Sequence, residues 1–115
     1  MTDNLNLKKL LIAFEQFRAI NPSMPVQQVQ TFLHVCEHEN DAMGVSIKDI
    51  AQSLGFSGAS ASRNVAAFTD WTRHRRKGPD LLVTTEDPMN RAYKKVTLTA
   101  KGRRLRDTLL ELTHS

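Results

Sequence analysis

Residues 45–68 read VSIKDIAQSLGFSGASASRNVAAF. Ser46 stands before an apolar-periodic run, and Asp49 follows three positions later, close to the reciprocal capping box that opens a helix. Ile47, Ile50, Ala51 and Leu54 fall on one helical face. Gly55 can take the left-handed conformation that stops a helix and turns the chain. Ser57 then caps a second helix. The apolar side of that helix is Ala61, Val65 and Phe68, at spacings of four and three, and its other side is Ser60, Ser62, Arg63 and Asn64. A short helix, a tight glycine-containing turn and a second helix with a small, polar, basic face form the helix-turn-helix pattern.

Upstream, the stretch from about Asn4 to Ile20 carries Leu7, Leu10, Leu11, Phe14 and Phe17 at spacings of three and four, which predicts an amphipathic helix. Asn21-Pro22 ends it, because proline disfavours a helical residue before it. This helix packs either on the core or on a second copy of the chain. Another helix starts near Pro25, with Ser23 as its cap candidate. Val29, Phe32, Leu33 and Cys36 are its expected buried stripe, and Gln27, Gln28, Gln30, Thr31, Glu37 and His38 are expected to face out. It ends in Glu39-Asn40-Asp41 and Gly44.

Downstream come the basic run Arg73-His74-Arg75-Arg76-Lys77 and the breaker Gly78-Pro79. Leu81-Leu82-Val83-Thr84-Thr85 reads as a strand, Asp87-Pro88-Met89-Asn90 as a turn, and Tyr93-Lys94-Lys95-Val96-Thr97-Leu98 as the returning strand. Val96 and Leu98 face the core in that reading, and the lysines face solvent. Thr99 caps a last helix with Leu105, Leu109 and Leu112 on one face, while Gly102 in its first turn works against it. The fold class is therefore mainly α with a β-hairpin wing, a winged helix-turn-helix. Its expected parts are an N-terminal dimerisation helix at 1–22, the winged DNA-binding domain at 23–98 and a C-terminal dimerisation helix at 99–115.

A chain of 115 residues suits one domain. No apolar run approaches the ~20 residues needed to span a bilayer, the N-terminus does not read as a secretory signal, and one cysteine forms no internal disulfide. These features favour a cytoplasmic domain with no membrane partner. The net charge is +4 and it is uneven: residues 1–56 hold four basic against six acidic side chains, and 57–115 hold twelve against six. A basic half joined to an acidic half points to a face built for a polyanion, or to a solvated basic surface.

Residues 24–105 resemble the MarR family of bacterial regulators. The matching pieces are Ile47-x-x-Ile50-Ala51-x-x-Leu54-Gly55-Phe56-Ser57, then Ser62-Arg63-x-Val65, the wing Glu86-Asp87-Pro88-x-Asn90-Arg91, and the strand-to-helix junction Val96-Thr97-Leu98-Thr99-x-Lys101-Gly102. The resemblance implies a winged-helix transcription regulator that binds double-stranded DNA as a homodimer. The chain departs from the family pattern at Asn90, where an acid is usual, and at Ala92, where a second arginine is usual. The path from Phe68 to Leu81 is longer than the family's, and the C-terminal helix is shorter.

In this reading Arg63, with Ser57, Ser60, Ser62 and Asn64, enters the major groove, where arginine can donate two hydrogen bonds to guanine. Arg91, next to Asn90 at the wing turn, reaches a minor groove or marks a solvated hairpin tip. Arg73, Arg75, Arg76 and Lys77 touch phosphates or only solvate a loop. With Ala92 in place of an arginine, phosphate contacts shift toward Lys94, Lys95 and the 73–77 run.

His34 and His38 can share a helical face, but Cys36 points to the other side and no fourth ligand is evident, so no metal is expected. Cys36 reads as a small buried hydrophobe whose acidic neighbours Glu37 and Glu39 would raise its pKa. No phosphate loop, metal-ligand motif or nucleophile elbow is present, so neither an enzyme nor a cofactor is expected, and a small-molecule effector is left open. Two other classes remain: a DNA-structural or replication-associated binder with little sequence preference, and a protein-interaction module that kept the fold without the DNA. The basic asymmetry argues against the second.

Overall fold

The computed structural model describes residues 2–41, 44–70 and 77–114, with the side chains of 2–5, 91 and 92 outside that description. The elements run α1 (Thr2–Ile20), α2 (Val26–His38), β1 (Val45–Ser46), α3 (Ile47–Leu54), α4 (Gly58–Ala66), β2 (Leu82–Asp87), β3 (Asn90–Leu98) and α5 (Ala100–Thr113). Local chemistry sets most of these boundaries. Ser46 Oγ accepts the Asp49 N–H at 3.0 Å and an Asp49 carboxylate oxygen accepts the Ser46 N–H at 3.1 Å, so the capping box of α3 is complete. Gly55 ends α3 at φ +74°, and the next N–H, from Phe56, donates back to the Ala51 carbonyl. Thr99 Oγ1 accepts the Gly102 N–H at 2.9 Å and caps α5.

The sheet is antiparallel in the order β1-β3-β2. Val45 pairs with Val96 and Leu82 with Leu98, which points the inner faces of the strands at the helices. Strand β1 was not legible in the sequence, because two residues carry no period and only the partner strand defines them. The core runs along three aromatic rings: Phe17 meets Phe32 edge-on at 5.8 Å between centroids, and Phe32 meets Phe68 at 5.6 Å. These contacts join α1, α2 and the end of the helix-turn-helix, and Val35, Ile50, Val65, Leu82 and Val96 fill the space around them. No described helix is long and apolar enough to cross a membrane.

The long path between α4 and the wing leaves and returns at one point. The Phe68 carbonyl accepts the N–H of both Leu81 (2.7 Å) and Leu82 (3.1 Å), and the Asp70 carbonyl accepts the Gly78 N–H at 2.8 Å. The inserted loop therefore does not displace the hairpin. Asp80, at φ +56°, turns the chain into the wing, and its carbonyl accepts the Thr99 hydroxyl at 2.7 Å. Gly102 sits against this junction: a Cβ there would overlap the Leu81 carbonyl oxygen, which already accepts the Thr99 N–H. The glycine that weakens α5 by propensity is required by close packing.

A second tie comes from Glu39, at the C-terminal end of α2, whose side chain is 8% exposed. One carboxylate oxygen accepts the Leu98 N–H at 2.8 Å, and the other lies 3.4 Å from Arg106 Nη1. The base of the wing is thereby fastened to both α2 and α5.

Two expectations for α2 are corrected. Ser23 does not cap it: Pro25 occupies the cap position in extended conformation, and the Ser23 N–H instead donates to Asn21 Oδ1. The buried stripe is also rotated. Thr31 is fully buried, its hydroxyl satisfied by the Gln27 carbonyl at 2.8 Å, whereas Leu33 is 42% exposed. The cause is tertiary, since α2 packs on α3, α4, α5 and β3 together and buries a wider arc than its own apolar residues supply.

Helix α1 packs on α5, burying Ala13 and Phe17. Its other apolar residues stay outside, with Leu7 and Leu11 about two-thirds exposed (65% and 64%) and Leu10 and Phe14 near half. Leu10, Phe14, Leu33, Cys36 and Leu110 line an open apolar groove of about 350 Å³ between α1, α2 and α5.

Candidate nucleic-acid interface

The turn at Gly55 delivers α4 with its polar face outward. Ser57 Oγ accepts the Ser60 N–H at 3.0 Å and also donates to Ser60 Oγ at 3.0 Å. Ser60 Oγ accepts a bond from Arg63 Nη2 at 3.2 Å. Two serines thus hold the guanidinium along the outer surface of the helix, one turn from its N-terminus. Ser57, Ser62 and Arg63 are exposed and Ser60 is half-buried.

Asn64 corrects the expectation that it faces out with them. It is 8% exposed, and its amide donates to Gln27 Oε1 of α2 at 3.4 Å. It lies beside Val65 on the inner arc and fixes α4 against α2. A polar residue at the edge of an apolar stripe can fall on either side of the boundary, and here the amide of Gln27 decides it.

The wing completes the surface. The Asp87 carboxylate accepts the Met89 N–H at 2.8 Å, which holds the two-residue tip between β2 and β3. Between β3, α3 and the start of α4 lies an open groove of about 570 Å³, lined by Ser46, Ile47, Lys48, Ala51, Gln52, Gly58, Ser62, Asn90, Tyr93 and Lys94. It brings together three predicted residues, Ser62, Asn90 and Lys94. Ser57, Ser60 and Arg63 do not line it and form a separate stretch of α4. Lys48, Gln52 and Tyr93 were missed. The i, i+4 spacing of Lys48 and Gln52 on α3 was the available signal, since it puts both on one face. Lys77 is exposed and does not line the groove. Arg73, Arg75 and Arg76 lie outside the described residues, and Arg91 is placed in β3 by its backbone alone.

The histidines and the cysteine lie away from this surface. The His34 and His38 rings stack at 4.4 Å between centroids on one face of α2. Burial and the adjacent His38 hold the His34 pKa below its ordinary value. Burial pushes the Cys36 thiol up to about 12, with Glu39 adding to the rise and Arg106 opposing it, so burial rather than the neighbouring acids dominates. Among the described residues no group of three or more His, Cys, Asp or Glu side chains could hold a metal ion.

No protein-family profile and no curated protein matches the chain. Solved structures do. A variant of MepR from Staphylococcus aureus bound to an oligodeoxyribonucleotide is 19% identical and superposes with a TM-score of 0.69, over 96% of this chain and 69% of that one. A crystal structure of an S. aureus MepR–DNA complex gives 22% identity and a TM-score of 0.63, over 91% and 73%. A MarR-family transcriptional regulator from Rhodococcus sp. RHA1 gives 24% and 0.58, over 95% and 61%. The chain has the MarR-type winged-helix fold. In that fold α3 and α4 are the helix-turn-helix and the β2–β3 hairpin is the wing. The chain spans roughly two-thirds of the length of these structures, from 61% of the Rhodococcus protein to 73% of MepR in its DNA complex.

Proposed function

We propose that this chain is a sequence-specific, double-stranded-DNA-binding transcription regulator that acts as a homodimer on a pseudo-palindromic operator. The observation that carries this reading is the serine-braced Arg63 on the exposed face of α4, flanked by a groove with lysines on α3 and on the wing. Helix α4 supplies base contacts from Arg63 and mixed contacts from Ser57, Ser60 and Ser62. The wing and the basic 73–77 run hold phosphates. The exposed apolar face of α1, with α5 beside it, supports the joining of two copies, because contiguous apolar surface of this kind marks an interaction site. Regulation then follows from occupying a promoter or from recruiting other proteins to it.

The fold neighbours add support of the same kind. MepR is a transcription regulator of the S. aureus multidrug efflux pump MepA and has been seen on DNA. The test is a fluorescence-anisotropy titration of the purified protein against random-sequence duplexes across a range of salt. Non-specific binding with Kd of about 10⁻⁴–10⁻⁶ M, and a log affinity that falls linearly with log salt, is expected. No anisotropy change at low salt would overturn the DNA-binding reading.

A further inference from the structure

We propose that the groove between α3 and β3 seats one sugar-phosphate strand of the bound duplex, with Lys48 and Lys94 closing on its phosphates from opposite walls. The proposal rests on the DNA-binding reading and adds a site that residue patterns did not locate. Lys48 lies in the sequence half with net negative charge. The fold moves it across, because pairing of β1 with β3 brings the first turn of α3 against the returning strand of the wing.

The two walls are regular. Lys48 and Gln52 are four apart on α3 and share a face. Asn90 and Lys94 are four apart on β3, an even separation that also puts them on one face. All four line the groove, and both lysines are exposed. Ile47 and Ala51 lie among them as its apolar lining, and no Asp or Glu contributes to it. A cationic, acid-free channel with apolar carbon surface suits a polymer that alternates an anionic phosphate with the carbon face of a deoxyribose. A free inorganic anion would have no use for the apolar part, and an acidic peptide would have no repeating match to lysines on both walls.

Lys48→Gln and Lys94→Gln test this in the full-length protein, with random-sequence duplex as the probe. Removing either lysine–phosphate pair should make the slope of log affinity against log salt shallower by about 0.9, which corresponds to roughly five-fold weaker binding near 0.15 M salt. The weakening should be the same on every sequence, and Lys48→Arg should restore the slope. Both side chains are exposed, so thermal melts of the variants should match that of the unaltered protein. If the unaltered protein binds DNA and neither glutamine variant changes the slope, the groove proposal is overturned and the DNA-binding reading stands. If the unaltered protein binds no duplex, both fall together.

Discussion

Gly102 shows what a single residue can and cannot announce. In the sequence it reads as a defect in the first turn of α5, because glycine costs a helix about 1 kcal/mol relative to alanine. In the structure the missing Cβ is what lets α5 approach the Leu81 carbonyl. Gly102→Ala is therefore expected to lower stability by about 1–3 kcal/mol through overpacking against backbone, where an open helix would gain from the change. Urea unfolding measures this, and a neutral or stabilised variant would contradict the packing argument. Arg63 was legible from its place on the polar face of the second helix, whereas the inward turn of Asn64 depends on Gln27, 37 positions away. Arg63→Ala should weaken binding to a matched operator by about 1–3 kcal/mol and binding to random duplex much less. Equal losses on both, read by anisotropy, would assign Arg63 to phosphate instead.

Among the elements, α3, its turn and α4 could be read in full, because caps, a left-handed glycine and a helical period are all local chemistry. The hairpin was read nearly as well from alternation and a proline-containing turn. What escaped was the set of links between elements: β1, the rotated stripe of α2, and the Glu39 tie. Each depends on a partner distant in sequence. Glu39 gives the sharpest element-level prediction. Its carboxylate accepts the Leu98 N–H at the base of the wing, and hydrogen bonds to charged groups contribute about 1.5–3 kcal/mol. Arg103 is half exposed and 3.8 Å away, so solvent screens its share. Glu39→Ala should cost about 1.5–3 kcal/mol in urea unfolding, and Glu39→Gln, which keeps an acceptor, should cost less. Equal losses from the two variants would show that the hydrogen bond to Leu98 is not what Glu39 contributes.

At the scale of the whole molecule, the question left by the sequence was whether α1 belongs to the core or to a second copy. The structure answers half of it: Ala13 and Phe17 are buried within the chain, while Leu7, Leu10, Leu11 and Phe14 are exposed. Light scattering at micromolar concentration should give twice the 13.0 kDa chain mass, and Leu7→Lys with Leu11→Lys should return it to the single-chain value. A single-chain mass for the unaltered protein would remove the dimer. Two-fold symmetry then places the two α4 helices one DNA turn apart, about 34 Å, on a site that repeats inversely.

That geometry makes one measurement the most direct test of the central claim: selection of bound duplexes from a random pool, followed by sequencing. The expected result is enrichment of a pseudo-palindrome whose half-sites are centred about 10 base pairs apart, with the enrichment lost for Arg63→Ala. Retention of the pool with no sequence enriched would contradict sequence-specific regulation and leave a binder that reads only the DNA backbone.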